Sequence, residues 1–294
     1  DLSACPLHEE PIEAALPHLK DFIRVASLTP YDLASRTGEL KYVLVTASPD
    51  GALMVRFVLR SREAELRLRK HLPTLLAALP RIELVSANIH PEHAAVLEGP
   101  TEIVLHGETL TMTVNDLPLH LRPRSFFQTN TAVAASLYRQ ATTWISDLAP
   151  STAWDLYCGV GGFALHAASS VPGLKVLGVE VSAEAVLSAE RSAHELGLEG
   201  ATFRADDAGA LALGHPDQAP DVVIVNPPRR GIGVELASWL QSSRASHIVY
   251  SSCNATSLAK DLTSMPSLRP VTAQLLDMFP NTGHYEVLTL LERR

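Results

Sequence analysis

The stretch Asp155-Leu156-Tyr157-Cys158-Gly159-Val160-Gly161-Gly162-Phe163 decides how the second half of the chain is read. It ends the short apolar segment AWDL and leads into a helical pattern from about Phe163, so its glycines lie where a strand turns into a helix. Glycine there lets the backbone turn tightly and approach a ligand closely, because a Cβ would collide with it. Downstream the text alternates: KVLGVE, a helix over Ala183–Leu196, TFRA, DVVIVN, a helix over Glu235–Gln241, HIVYSS and a helix over Ala255–Met265. Short apolar strands alternating with amphipathic helices imply an α/β fold with a doubly wound, Rossmann-like parallel sheet, completed by a last strand, YEVLTLL. Upstream, Val133, Leu137, Ala141 and Trp144 share one stripe of a helix over Thr131–Ile145, with Thr129 or Asn130 as its cap.

The residues before this region read differently. YVLVTAS and LMVRFVLR flank Pro49-Asp50-Gly51 as a hairpin, Glu63–Leu79 carries leucines on one helical side, and IELVSANI, TEIVLH and TLTMTV read as strands. Residues 1–120 are therefore expected to form a smaller mixed α/β domain and residues 121–294 the larger one. Lys20–Arg81 holds eleven Lys/Arg against six Asp/Glu, whereas the 294-residue chain carries a net charge of −8. The overall acidity thus does not exclude nucleic acid, and the smaller domain is expected to present a basic face.

No apolar run reaches the roughly 18 residues of a membrane span and no signal segment opens the chain, so a cytoplasmic protein without a membrane partner is expected. The chain starts at Asp1 rather than Met, as a piece of a longer gene product would. Three cysteines are too few for a disulfide framework and are read as reduced thiols, and the twelve histidines show no metal-binding spacing.

In a sheet of this kind ligands bind at the carboxyl ends of the strands, so the loops there are where chemistry is expected. Glu180 ends the strand after the glycine loop, where a carboxylate accepts both hydroxyls of a ribose, and a nucleoside is implied. The loop has Ala164 in place of the last glycine of a dinucleotide fingerprint, a permitted variant, so a nicotinamide enzyme stays open on this loop alone. In Asn226-Pro227-Pro228-Arg229-Arg230-Gly231 the prolines fix the backbone, presenting Asn226 in a defined direction to a flat substrate. Cys253, in Tyr250-Ser251-Ser252-Cys253-Asn254, stands before a helix whose dipole is expected to lower its pKa, the position of a nucleophile. Cys158, inside the glycine loop, is read as packing.

Together SFFQTN (Ser125–Asn130), the glycine loop, GVE (Gly178–Glu180), VNPPRRGIG (Val225–Gly233), YSSCN (Tyr250–Asn254) and MFPNTGHYEVLTLL (Met278–Leu291) resemble the RNA uracil-C5 methyltransferases, which use S-adenosylmethionine. CPL (Cys5–Leu7), GELKYVL (Gly38–Leu44) and RFVLRS (Arg56–Ser61) extend the likeness to the smaller domain of the members acting on 23S rRNA. The resemblance implies a methyltransferase fold for the larger domain, an RNA-contacting smaller domain, and methylation of a specific uridine of 23S rRNA. It implies that Cys253 adds to uracil C6 and that Glu286 removes the C5 proton. It also implies that Gln128, Tyr157, Gly159, Glu180 and Asn226 meet the cofactor; Asp206 is placed against the adenine by analogy with related folds. Arg122, Arg124, Arg229 and Arg230 are candidates for RNA. Family members bind a [4Fe-4S] cluster through four cysteines; Cys5 resembles the last of them and the other three are absent from this chain, which puts the cluster in doubt.

Other classes fit less well. Enzymes that methylate an exocyclic nitrogen also use Asn-Pro-Pro but need no thiolate, and usually put an aromatic residue where this chain has Arg229. A cytosine-C5 enzyme would need a proton donor in that loop. A module that only binds RNA would have no use for Glu180, Asn226 and Cys253 together.

Overall fold

In the computed structural model, Cys5 and residues 7–94, 96–215 and 217–294 are described. The chain divides into two compact units, residues up to Thr113 and Val114–Arg294.

The first unit runs α1 (Glu10–Val25), β1 (Leu40–Ala47), β2 (Leu53–Leu59), α2 (Glu65–Ala78), β3 (Ile82–Ile89) and β4 (Thr101–His106). β1 and β2 form the expected hairpin, with Gly51 at φ +80 closing the turn onto the Ser48 carbonyl. β2 and β3 are parallel, which needs a crossover, and α2 supplies it. The sequence reading passed over α1, although Ala15, Leu19 and Phe22 on one of its sides are buried with Leu68, Leu72 and Leu75 of α2 against Val55, Phe57 and Leu59. On the opposite parity of β2, Arg56 is buried and held by Glu102 at 2.7 Å and Glu98 at 2.8 Å.

The expected basic face is largely neutralised. Arg62 and Arg69 both pair with Glu65, Arg67 with Glu63, Arg60 with Glu39 and Arg24 with Asp21. Apart from Arg60–Glu39, these pairs have i,i+3 or i,i+4 spacing, which brings acid and arginine together.

β5 (Leu110–Val114) and β6 (Leu117–Leu121) form a two-stranded sheet. There follow α3 (Thr131–Leu148), β7 (Thr152–Leu156), α4 (Gly162–Ser170), β8 (Lys175–Glu180), α5 (Ala183–Glu195), β9 (Ala201–Ala205), α6 (Ala208–Gly214), β10 (Val222–Val225), α7 (Gly233–Ser242), β11 (His247–Ser252), α8 (Ala255–Thr263), β12 (Leu268–Leu276) and β13 (Glu286–Arg293). Of the two expected candidates Asn130 caps α3, accepting from the Val133 amide at 3.2 Å, and Ser182 and Asn254 cap α5 and α8.

The sheet order is β12-β13-β11-β10-β7-β8-β9. From β11 to β9 all neighbours are parallel, as expected, but β13 runs antiparallel to both β11 and β12. A wholly parallel sheet is therefore corrected to a mixed one. β13 is reached from β12 through a hairpin connection with no crossover helix, and a hairpin reverses the strand direction. Among the described residues, no helix is long and apolar enough to cross a membrane.

The chain lays β8 and β9 on one side of β7, then returns to lay β10 on the other. The crevice at the carboxyl ends of β7 and β10 is thus the switch point where open α/β sheets bind ligands. Gly178, in β8, fixes the spacing behind it: a Cβ there would lie 2.4 Å from the Phe203 ring and 2.9 Å from the Cys158 sulfur. Gly178→Ala is expected to cost about 1–3 kcal/mol of overpacking, read as a lowered midpoint in urea unfolding.

Candidate active site

Two loops meet at the switch point. After β7 the backbone takes left-handed φ at Tyr157 (+66), Gly159 (+55) and Gly161 (+84), and Gly161 opens α4. A Cβ on Gly159 would meet nothing within 4 Å, so this loop leaves room beside its backbone. Gly162 is different: a Cβ there would strike the Tyr138 ring, so this glycine serves packing. After β10, the Asn226 amide bonds the Leu156 carbonyl at 3.3 Å, joining the second loop to the end of β7.

Glu180, at the end of β8, accepts the Gly159 amide at 3.2 Å through Oε2 and the Ser182 amide at 3.0 Å through Oε1. Its head is thereby fixed, and each oxygen keeps a lone pair for a hydroxyl. Tyr157 is half-buried, and burial together with nearby Asp207 raises its phenol pKa. Asp206 pairs with Arg204 at 2.7 Å and accepts the Asp207 amide at 2.9 Å, so both of its oxygens are engaged. Gln128 is half-buried on the connection into α3, and no hydrogen bond ties its side chain to the other candidate residues among those described. Tyr157 and Gly159 thus follow β7, Glu180 ends β8, Asn226 follows β10, and Asp206 lies one residue past β9.

Beneath the glycine loop lies an acid the sequence reading missed. Asp155 is fully buried, its Oδ2 accepts the Ala164 amide at 2.9 Å, and its Oδ1 has no partner. Burial raises its pKa to about 8. Its motif placed it in view, but strand alternation alone did not tell which side of the sheet it faces.

The third loop follows β11. Ladder pairing sets Ser251 opposite Leu288 and Ser252 opposite Val287, and Cys253 and Glu286 each lie one residue beyond that last pair, close enough for the carboxylate to act on the thiol. Glu286, the first residue of β13, is 2% exposed and accepts a hydrogen bond from the Ser251 hydroxyl. Burial raises its pKa to about 7.

Cys253 departs from expectation in one respect. Its pKa is raised, chiefly by burial and then by the Glu286 carboxylate, with Arg229 acting in the opposite direction. Burial and the Glu286 carboxylate thus outweigh the expected lowering, and it is Asn254 that caps α8, accepting the Thr256 amide at 3.0 Å and the Ser257 amide at 3.4 Å. Cys158 is buried, with its pKa pushed well up, as packing requires.

Asp261 of α8 locks these loops together. Its Oδ2 accepts the Tyr250 hydroxyl at 2.6 Å and the Ile232 amide at 3.0 Å, and it lies 2.3 Å from where a Gly231 Cβ would stand. Asn254 adds a bond to the Arg229 carbonyl at 3.0 Å. Arg229 itself reaches His284 at 3.4 Å. Nothing in the sequence marks Asp261, since only the packed fold brings α8 under the Pro-Pro loop.

Cys5 is partly exposed, and the described residues contain no group of three or more His, Cys, Asp or Glu able to hold a metal ion. A cluster needs about four thiolates, so the residues present do not fit one.

Two family models match: the methyltransferase small domain over residues 140–241 and tRNA (uracil-5-)-methyltransferase over residues 215–294. Over 295 residues the chain is 50% identical to the 23S rRNA (uracil(747)-C(5))-methyltransferase RlmC of Pectobacterium carotovorum, covering 100% of this chain and 78% of that protein. The chain belongs to the RNA uracil-C5 methyltransferase family. The RlmC of Halothiobacillus neapolitanus is 52% identical over 298 residues, covering 100% of this chain and 78% of that one. Among solved structures, the Pyrococcus abyssi tRNA (uracil-54, C5)-methyltransferase in complex with S-adenosyl-L-homocysteine matches with a TM-score of 0.83 at 25% identity. That match covers 99% of this chain and 68% of the other. The larger unit of this enzyme thus has the S-adenosylmethionine-dependent methyltransferase fold.

Glu286 and Asp155 are carboxyls whose folded pKa values, about 7 and about 8, lie above the ordinary 4.5 and 3.8. The fold favours their neutral forms, so the stability they contribute is full below the ordinary values and is lost as pH rises through 7 and 8. Glu286→Gln removes one of these losses. In urea unfolding, its stability relative to the unsubstituted chain is expected to rise by up to about 3 kcal/mol between about pH 4 and about pH 8.

Proposed function

We propose that this chain transfers the methyl group of S-adenosylmethionine to C5 of a uridine in 23S rRNA, uridine 747 in the numbering that the names of its relatives carry. The observation that carries the chemistry is the nearness of Cys253, one residue past the end of β11, to the buried carboxylate of Glu286. Uracil C5 is a weak nucleophile, and adding a thiolate at C6 is what activates it. The Cys253 sulfur bonds to C6 while the C5–C6 π electrons move onto the ring carbonyl as an enolate. Those electrons would then take the methyl group that bound S-adenosylmethionine supplies as an electrophile, the sulfonium sulfur leaving as a neutral thioether with the pair of the broken bond. Glu286 takes the remaining C5 hydrogen as a proton, the C–H electrons restore the C5–C6 double bond, and the Cys253 thiolate leaves.

The environment suits these roles. A carboxyl with pKa about 7 divides between its two forms at neutral pH, which is what a general base requires. A thiol with a raised pKa is mostly protonated at rest, which protects it, and the thiolate that does form is strongly nucleophilic. Arg229 is the cation whose field favours that thiolate. For the cofactor, Glu180 would hold the ribose, the room beside Gly159 would admit the nucleoside backbone, and Tyr157, Asp206, Asn226 and Gln128 would complete the enclosure.

The iron–sulfur cluster of other family members takes no part in this reading. The smaller unit is proposed to help hold the rRNA, and the ribosomal substrate assigns the enzyme to the cytoplasm.

Cys253→Ala is expected to abolish methyl transfer to rRNA, below about one part in a thousand of the unsubstituted rate, with S-adenosylmethionine affinity within about threefold by calorimetry. Glu286→Gln is expected to accumulate a denaturation-resistant protein–RNA species on gels, since the methylated adduct forms but keeps its proton. Absence of that species together with full activity would refute the base assignment.

A further inference from the structure

One buried side chain next to the reacting pair is not used by the mechanism above. Ser251 is fully buried in β11, two residues before Cys253, so its side chain and that of Cys253 lie on the same face of the strand as it continues. The antiparallel register sets Ser251 opposite Leu288 and diagonal to Glu286. Its hydroxyl donates to Oε1 of Glu286, and Oε2 has no hydrogen bond among the described residues. We infer that Ser251 is a positioning residue that orients the Glu286 carboxylate and leaves Oε2 to receive the uracil C5 proton. The inference rests on the base role proposed for Glu286 and adds what holds that base in place.

The surroundings leave this task to Ser251. The titratable groups facing Glu286 are the Cys253 thiol beyond β11 and the Tyr138 phenol from α3, and from β12 the residue opposite is Leu276. None of these is a cation. A carboxylate buried without one is stabilised mainly by hydrogen bonds, and Ser251 supplies the single side-chain bond seen here. A donor to the charged form lowers the acid's pKa, so losing it raises the pKa of the base above about 7.

The test is the pH dependence of kcat for uridine RNA in the unsubstituted enzyme, Ser251→Ala and Ser251→Thr. It is paired with the rate at which each forms an adduct with 5-fluorouridine RNA, a step that needs Cys253 and methyl transfer but no base. Ser251→Ala is expected to move the acidic limb of kcat upward by about one pH unit, lowering turnover about fivefold at neutral pH and much less at alkaline pH. Its adduct is expected to form within about twofold of the normal rate, and Ser251→Thr, which keeps the hydroxyl, is expected to restore the limb. An unmoved limb, or an equal loss at every pH that extends to adduct formation, overturns the positioning role. If the unsubstituted enzyme itself forms no adduct, the covalent reading beneath it falls instead.

Discussion

The ladder between β11 and β13 is the constraint on which the rest of the site depends. Cys253 and Glu286 are separated by more than thirty residues of sequence, and no local propensity brings them together. Antiparallel pairing does so, because the ladder ends with Ser252 against Val287, one residue short of each. A slip of one residue would turn Glu286 to the other face of the sheet and dismantle the site. The neighbouring strand β12 holds β13 on its far side, so Glu286 stands between two paired strands instead of at a free edge.

Around that ladder the protein concentrates buried ionisable groups with few counter-charges. Asp155, Glu286 and Cys253 all have raised pKa values, and in each burial is the leading cause. Burial thus disfavours the charged form of each group. The two acids serve different ends. Asp155 sits below the glycine loop and braces α4 through the Ala164 amide, whereas Glu286 stands beside the sulfur. The smaller unit follows the reverse policy, matching nearly every arginine of its helices and strands to a glutamate or aspartate.

Much of this was legible in the linear text. The glycine loop, Glu180 at the next strand end, the rigid Asn-Pro-Pro segment and the helix caps depend on residues a few positions apart, and the structure forms them as read. Errors arose where a distant partner decided the outcome. The last strand was taken as one more parallel neighbour because the exposed strand β12 has little alternation to announce a hairpin. Cys253 was expected to be acidified by a helix terminus, but burial in the packed fold and the Glu286 carboxylate raise its pKa.

By itself, then, the sequence determined the strand–loop–helix periodicity of the larger unit, the turns that only glycine and proline allow, and the chemical kinds of group available at each strand end. Tertiary structure alone decided which of those groups confront one another. The reversal of β13 brought Glu286 beside the Cys253 thiol, the fold of α8 put Asp261 beneath two loops, and burial set the proton affinities. The reason is physical: backbone conformation is governed by near neighbours, whereas register, desolvation and the field at an ionisable group are sums over atoms that only the packed chain brings close.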